Sequence, residues 1–287
     1  MAANTRDIRR RIKSIKNTAQ ITKAMQMVAA AKIRRAQQAA LAGREYAAKL
    51  NEVLSDLKAR SDAHQHPLLE VREVKNELVL VISTDKGLCG ALNTNLLREV
   101  GKSAPDKTSY ITSGRKGVQY LHRTKRTVVA DFPLRDNFSV ADAKAISKFM
   151  IEKFLSGEFD RISVFYTKFV NTLSQVPTQV TLLPVSAGKL EKAEEEKSRG
   201  LLTDYEYEPS PAAVLNVVLP QYVHFEVYQM LLDSRASEQS ARMVAMKNAT
   251  DNAKQLIKDL TLEYNKIRQA AITTQLLEIS TAQMALG

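Results

Sequence analysis

The stretch ASEQSARMVAMKNATDNAKQLIKDLTLEYNKIRQAAITT, residues 236–274, decides the fold. Ala236, Gln239, Met243, Met246, Thr250, Ala253, Ile257, Leu260, Tyr264, Ile267, Ala271 and Thr274 follow alternating steps of three and four without a slip. A 3.5-residue repeat held this long predicts a left-handed coiled coil rather than one face of a globular helix. The partner is expected at the other end of the chain. There Ile8, Ile12, Ile15 and Ala19 step by four, three and four, and Ala36, Ala40, Gly43, Ala47, Leu50, Leu54 and Leu57 alternate four and three.

Glycine and proline placement agrees. The 287 residues hold 10 Gly and 8 Pro. Residues 1–66 contain only Gly43, residues 221–286 contain neither type, and all the others except Gly287 lie from Pro67 to Pro220. Because these residues punctuate turns and break helices, two uninterrupted helical ends are expected around a loop-rich middle. At about 1.5 Å per residue, residues 5–57 would span roughly 80 Å and residues 221–286 roughly 100 Å, more than a compact domain of this size can hold. The middle joins the end of one helix to the start of the other, so the pair should be antiparallel. The expected division is 1–60 for the first helix, 61–208 for the middle domain and 209–287 for the second helix.

Many seam positions hold Ala, Gly, Thr or Gln, so the pair buries about half the apolar area of a Leu seam and needs outside support. The last stretch, QAAITTQLLEISTAQMALG (residues 269–287), carries one charge, Glu278. Ile272, Leu276, Leu277, Ile279, Met284 and Leu286 point to several sides of a helix, the pattern of a buried one. Insertion into an apolar collar of a partner follows, and the Gln, Thr and Ser content argues against lipid.

The middle reads as a small open α/β sheet of Rossmann-like layering. Leu78–Ser83 (LVLVIS) has the continuous apolar character of a buried parallel strand. Further strands are expected at Ser109–Thr112, Thr127–Ala130, Arg161–Phe169 and Gln179–Leu183, with an amphipathic helix over Val140–Leu155. Its turns lack a nucleotide fingerprint. Gly87 and Gly90 do not complete GxGxxG, and Gly101-Lys102-Ser103 has Leu96 where a P-loop needs its first Gly. Cys89, the single cysteine, starts a helix without a neighbouring His, and it excludes a disulfide framework or a Cys-rich zinc site. His64 and His66 precede Pro67 in a polar stretch and read as loop. No catalytic residue, metal or cofactor is expected, and no segment approaches 18 uncharged apolar residues.

Charge is concentrated at one end. Of a net +11, residues 1–44 contribute 11 Lys and Arg against the single acid Asp7. A run this unbalanced needs a partner. A basic helix running into heptads resembles a nucleic-acid reader. Met25, Met27, Val28 and Ala29–Ala31 make it more apolar than groove reading requires, and favour an acidic protein surface instead.

Ile12–Lys32 (IKSIKNTAQITKAMQMVAAAK), the loop Thr84–Asn93 with GLCG, Ala236–Asn252 and Tyr264–Thr273 (YNKIRQAAIT) resemble the gamma subunit of F-type ATP synthases. The resemblance covers essentially the whole chain. It implies a central rotor shaft with no bond chemistry of its own. Its antiparallel coiled coil would stand within the ring of alpha and beta subunits, and its Rossmann-like foot would rest with epsilon on the c-subunit ring. It implies beta-subunit contacts at Lys23, Met25, Arg242, Arg268, Gln269 and Thr273, and c-ring or epsilon contacts at Tyr205, Tyr207 and Glu208. Ile272, Leu276, Ile279, Met284 and Leu286 would form the bearing tip. Ala91 departs from the Gly that often follows GLCG, and residues 274–287 match least well. Cys89 alone excludes the dithiol switch of the plastid form. With no leader before the first helix, the expected place is the cytoplasmic face of a bacterial inner membrane, without a membrane span and without nucleic acid. The alternative is a basic coiled-coil nucleic-acid-binding protein.

Overall fold

The computed structural model describes residues 2–43, 46, 49–54, 57, 66–102, 108–134, 138–185 and 207–286. Helix α1 covers Ala2–Ala42. The middle contains β1 (Glu77–Ile82), α2 (Leu92–Lys102), β2 (Thr108–Ser113), α3 (Arg115–Arg123), β3 (Val128–Asp131), α4 (Val140–Leu155), β4 (Arg161–Phe169) and β5 (Gln175–Leu183). Helix α5 runs from Pro211 to Leu286. The chain forms two compact units, one of residues 1–30 with 242–287, the other of residues 31–241.

In the larger unit the five strands lie in the order β3-β2-β1-β4-β5. β1 pairs in parallel with β2 and β4, β2 with β3, and β5 closes the sheet antiparallel to β4. All six residues of β1 are buried, as expected for a strand covered on both faces. Its alternation divides two cores. Leu78, Leu80 and Ile82 pack with Ile146, Met150 and Phe154 of α4, with Leu215, Leu219, Val223 and Val227 of α5, and with Leu54 and Leu57. Val79 and Val81 pack on the other side with Leu96 and Val100 of α2 and Leu121 of α3. Each fully buried Leu, Ile or Phe contributes about 1.5–3 kcal/mol. Leu54 and Leu57, read from the sequence as coil seam, thus belong to the sheet core.

Local chemistry sets the helix ends. Ser139 caps α4 in a capping box with Asp142, each side chain bonded to the other's backbone N–H. Arg126 donates to the Val100 and Gly101 carbonyls at the end of α2 and to the Tyr110 hydroxyl, so a cation sits at the helix's negative end.

Prolines stand inside two of these elements. Helix α5 begins at Pro211, within the expected 209–287, because a proline at the first helical position loses no bond. Ser210 caps it by accepting from the Ala213 N–H. Pro220 then costs one intrahelical bond, and Leu219, Tyr222 and Val223, all buried beside it, hold the helix on the sheet. β5 begins at Gln175 rather than 179, and as an edge strand it tolerates Pro177. Leu155, at the end of α4, is exposed.

The smaller unit is the coiled coil. Along α1, Ile8, Thr22 and Ala29 are buried, with Ile12, Ile15, Ala19 and Gln26 half-buried between them. Along α5, Met246, Thr250 and Ala253 are buried, and Ile257, Leu260, Tyr264, Ile267, Ala271 and Thr274 are half-buried. The two stripes meet where the Thr22 and Thr250 hydroxyls lie 2.7 Å apart. From that pair, an antiparallel register carries α1 to its first residue beside about position 270 of α5. Residues 275–284 are accordingly exposed on every side.

Candidate partner-contact surfaces

Open sheets of this order bind ligands at the carboxyl ends of the strands, where the crossovers diverge. Here those ends are occupied by the chain itself. The first three amides of α3, the natural anion site of a helix N-terminus, already have acceptors. Arg115 N donates to the Asp85 carboxylate at 3.0 Å, Lys116 N to the Thr84 carbonyl at 3.0 Å, and Gly117 N to Ser83 Oγ at 2.7 Å. Ser83 Oγ in turn donates to the Gly114 carbonyl. Gly114 has φ +109°, and a Cβ there would come within 2.2 Å of the Ser83 carbonyl oxygen, so only glycine fits.

The GLCG loop is tied down in the same way. The Asn93 side chain donates to Thr84 Oγ1 at 2.7 Å and to Cys89 Sγ at 3.4 Å, and its carbonyl accepts from Thr84 N. Cys89 is buried. Leu88 beside it takes φ +63°, unusual for a branched side chain, and is 62% exposed. Over the ends of β1 and β2, Arg235 and Glu238 of α5 form an ion pair of 2.8 Å. The cleft left between these elements measures about 30 Å³, far below the roughly 300–1,000 Å³ of small-ligand pockets. Among the described residues no cluster of His, Cys, Asp and Glu could hold a metal ion. No helix of the described chain is long and apolar enough to cross a membrane.

The sequence-derived contact residues fall as follows. Lys23 is exposed on α1 and Met25 half-buried. Arg268, Gln269 and Thr273 share an exposed turn of α5, where Thr273 Oγ1 donates to the Gln269 carbonyl at 3.0 Å. Arg242 differs from them, being only 9% exposed. Tyr207 is half-buried against the sheet core and Glu208 is exposed just before α5. Tyr205 and the side chain of Leu286 lie outside the described residues. Ile272, Leu276, Ile279 and Met284 are exposed, the last three at 62%, 64% and 81%.

Part of the seam is not legible from residue type. Thr22, Gln26, Ala29 and Ile33 continue the four-three spacing from Ala19 to Ala36. Periodicity could have found them, but polar and small residue types hid the stripe.

A coiled coil with an inserted Rossmann-layered domain, its strand ends plugged and its coil end apolar and exposed, defines a class of protein that works through other proteins. Comparison with known sequences narrows the class. Residues 4–286 match the family described as ATP synthase. The ATP synthase gamma chain of Methylacidiphilum infernorum is 52% identical, over 99% of this chain and all of that one. That of Opitutus terrae is 47% identical over 99% of each. Among solved structures, the Tetrahymena thermophila mitochondrial ATP synthase central stalk and c-ring contains a similar chain. It is 29% identical, with a TM-score of 0.61, over 80% of this chain and 99% of that one. A chain of the Euglena gracilis mitochondrial OSCP/F1/c-ring structure, 21% identical, shares the fold with a TM-score of 0.70, over 100% of this chain and 95% of that one. The chain therefore belongs to the ATP synthase gamma chain family. These matches give the nucleic-acid alternative no support.

Proposed function

We propose that this chain is the central rotor shaft of a proton-driven ATP synthase. It transmits rotation of a membrane c ring to the catalytic ring of alpha and beta subunits, and runs in reverse when ATP is hydrolysed. The observation that carries the reading is identity near one half with ATP synthase gamma chains over essentially full length. Residues 1–60 and 209–287 serve as the shaft and 61–208 as the foot on the c ring, with epsilon.

The shaft acts without bond chemistry. A partner shifts a conformational equilibrium only by binding its states differently, and an asymmetric coil turning within a ring of alpha and beta subunits meets each beta subunit differently in turn. Lys23 and Met25 on α1, and Arg242, Arg268, Gln269 and Thr273 on α5, make the beta contacts. Ion pairs made by the exposed Lys23 and Arg268 contribute about 0–1 kcal/mol each, weak enough to break and re-form during rotation. Ile272, Leu276, Ile279, Met284 and Leu286 turn in an apolar collar, where contacts without fixed direction resist no particular angle. Tyr205, Tyr207 and Glu208 meet the c ring or epsilon. The complex lies at the cytoplasmic face of a bacterial inner membrane, with this chain peripheral to it.

Purification of the tagged chain from its own cells in mild detergent tests the proposal. Alpha, beta and epsilon subunits are expected in fixed proportion. Recovery with nucleic acid, or with no partner, would overturn it.

A further inference from the structure

On the face of the sheet away from α4, helices α2 and α3 leave an open cleft of about 430 Å³ between them. Its chemistry is one-sided. Leu97 and Tyr120, both half-buried on the smaller core, are its apolar walls. Arg98, Lys116 and Arg123 are its charged residues, and none of its lining side chains is acidic. Elsewhere on α2 the pattern is ordinary, with Lys102 bridged to Glu99 at 3.0 Å. Among the described residues Lys116 reaches only a neutral acceptor at the cleft, Gln119 Oε1 at 3.4 Å, and the Arg123 guanidinium lies 5.9 Å from the Tyr120 ring centroid. Three cations held around an apolar floor repel one another and favour an anion that also carries an apolar group.

We propose that this cleft docks an acidic segment of a partner protein. The segment supplies two or three carboxylates to Arg98, Lys116 and Arg123, and one apolar side chain to the floor between Leu97 and Tyr120. Planar guanidinium groups on both helices suit bidentate carboxylate capture. The proposal rests on the reading of this chain as a subunit of a larger assembly, and adds a docking site to it.

The test is amine footprinting of Lys116. The assembly purified from its own cells and the isolated full chain are acetylated in parallel, and Lys116 labelling is read by mass spectrometry. At least tenfold slower labelling in the assembly is expected. A zero-length carboxyl-to-amine cross-linker should join Lys116 to an Asp or Glu of another protein. In the exposed double variant Arg98→Glu/Arg123→Glu the protection should be lost. Equal labelling of Lys116 in both samples would overturn the proposal, as would protection that nuclease treatment removes. Absence of alpha and beta subunits from the purified assembly would count against the rotor reading instead, and is scored separately from the footprint.

Discussion

Thr22 and Thr250, 228 residues apart in sequence, place their hydroxyl oxygens 2.7 Å from each other inside the coiled coil. Thr250 Oγ1 is also 2.8 Å from the Met246 carbonyl, and Thr22 Oγ1 is 3.1 Å from that of Ala19. Either hydroxyl can donate to the other: Thr250 donates to Met246 and accepts from Thr22, or Thr22 donates to Ala19 and accepts from Thr250. A polar pair at a seam of small residues fixes which turn of α1 faces which turn of α5, as single buried polar residues do in other coils.

Replacing Thr250 by Val keeps the shape and removes the hydroxyl that partners Thr22. A loss of about 1–2 kcal/mol is expected for Thr250→Val alone. The double variant Thr22→Val/Thr250→Val should recover most of it, since two apolar groups of the same shape need no partners. Denaturant unfolding of the four chains gives the cycle, and simple additivity would show that the hydroxyls are not coupled.

Two glycines with positive φ should respond differently. Gly114→Ala drives a Cβ into the Ser83 carbonyl and is expected to cost about 3 kcal/mol or more. Gly90 has φ +60° and no atom within 4 Å of the added carbon. Gly90→Ala should therefore cost only about 1–2 kcal/mol of backbone strain. Thermal unfolding of both variants checks the order.

His224 makes stability depend on pH. Burial holds its imidazole below the usual value, with the Lys144 ammonium acting in the same direction. Its Nδ1 lies 2.6 Å from Ser147 Oγ, which is buried. The unfolded chain therefore takes up the proton first, and stability is full above about pH 6.5 and falls as the solution is acidified through that value. His66, also lowered by burial, adds to the same slope. The melting temperature should fall between pH 7.5 and pH 5.5, and less so in His224→Gln. An equal fall in that variant would assign the slope to other groups.

At the exposed end of α5, Leu276→Glu and Ile279→Glu should leave the isolated chain's stability within about 0.5 kcal/mol, because neither side chain is buried by this chain. Retention of the chain by an alpha–beta ring should weaken at least several-fold. A loss of stability without loss of retention would assign these residues to the fold rather than to a partner.

Legibility followed periodicity. Ile257, Leu260, Tyr264 and Ile267 were readable because a heptad leaves its record in spacing, whatever surrounds it. β1 was readable because a strand buried on both faces is apolar throughout. What escaped depends on contacts distant in sequence. Pro220 within α5 is tolerated because of packing on a sheet that local sequence does not specify. The edge position of β5, which lets Pro177 stand in a strand, is likewise a property of topology. The plugging of α3 by Ser83, Thr84 and Asp85 was invisible as well, since these residues lie about 30 positions away from the amides they satisfy. Among the contact residues, Arg268, Gln269 and Thr273 were indicated by the resemblance and by no spacing of their own. The burial of Arg242 depends on its surroundings and left no sign in the pattern.

Rotation is the central claim, and watching it is the most direct test. The chain, labelled with a bead through a cysteine placed at the exposed Leu173 after Cys89→Ser, is combined with surface-held alpha and beta subunits and supplied with ATP. Sustained rotation in one direction, dependent on ATP and absent without this chain, is the expected result. A bead that stays still or wanders without direction, on rings that hydrolyse ATP with this chain in place, would contradict it.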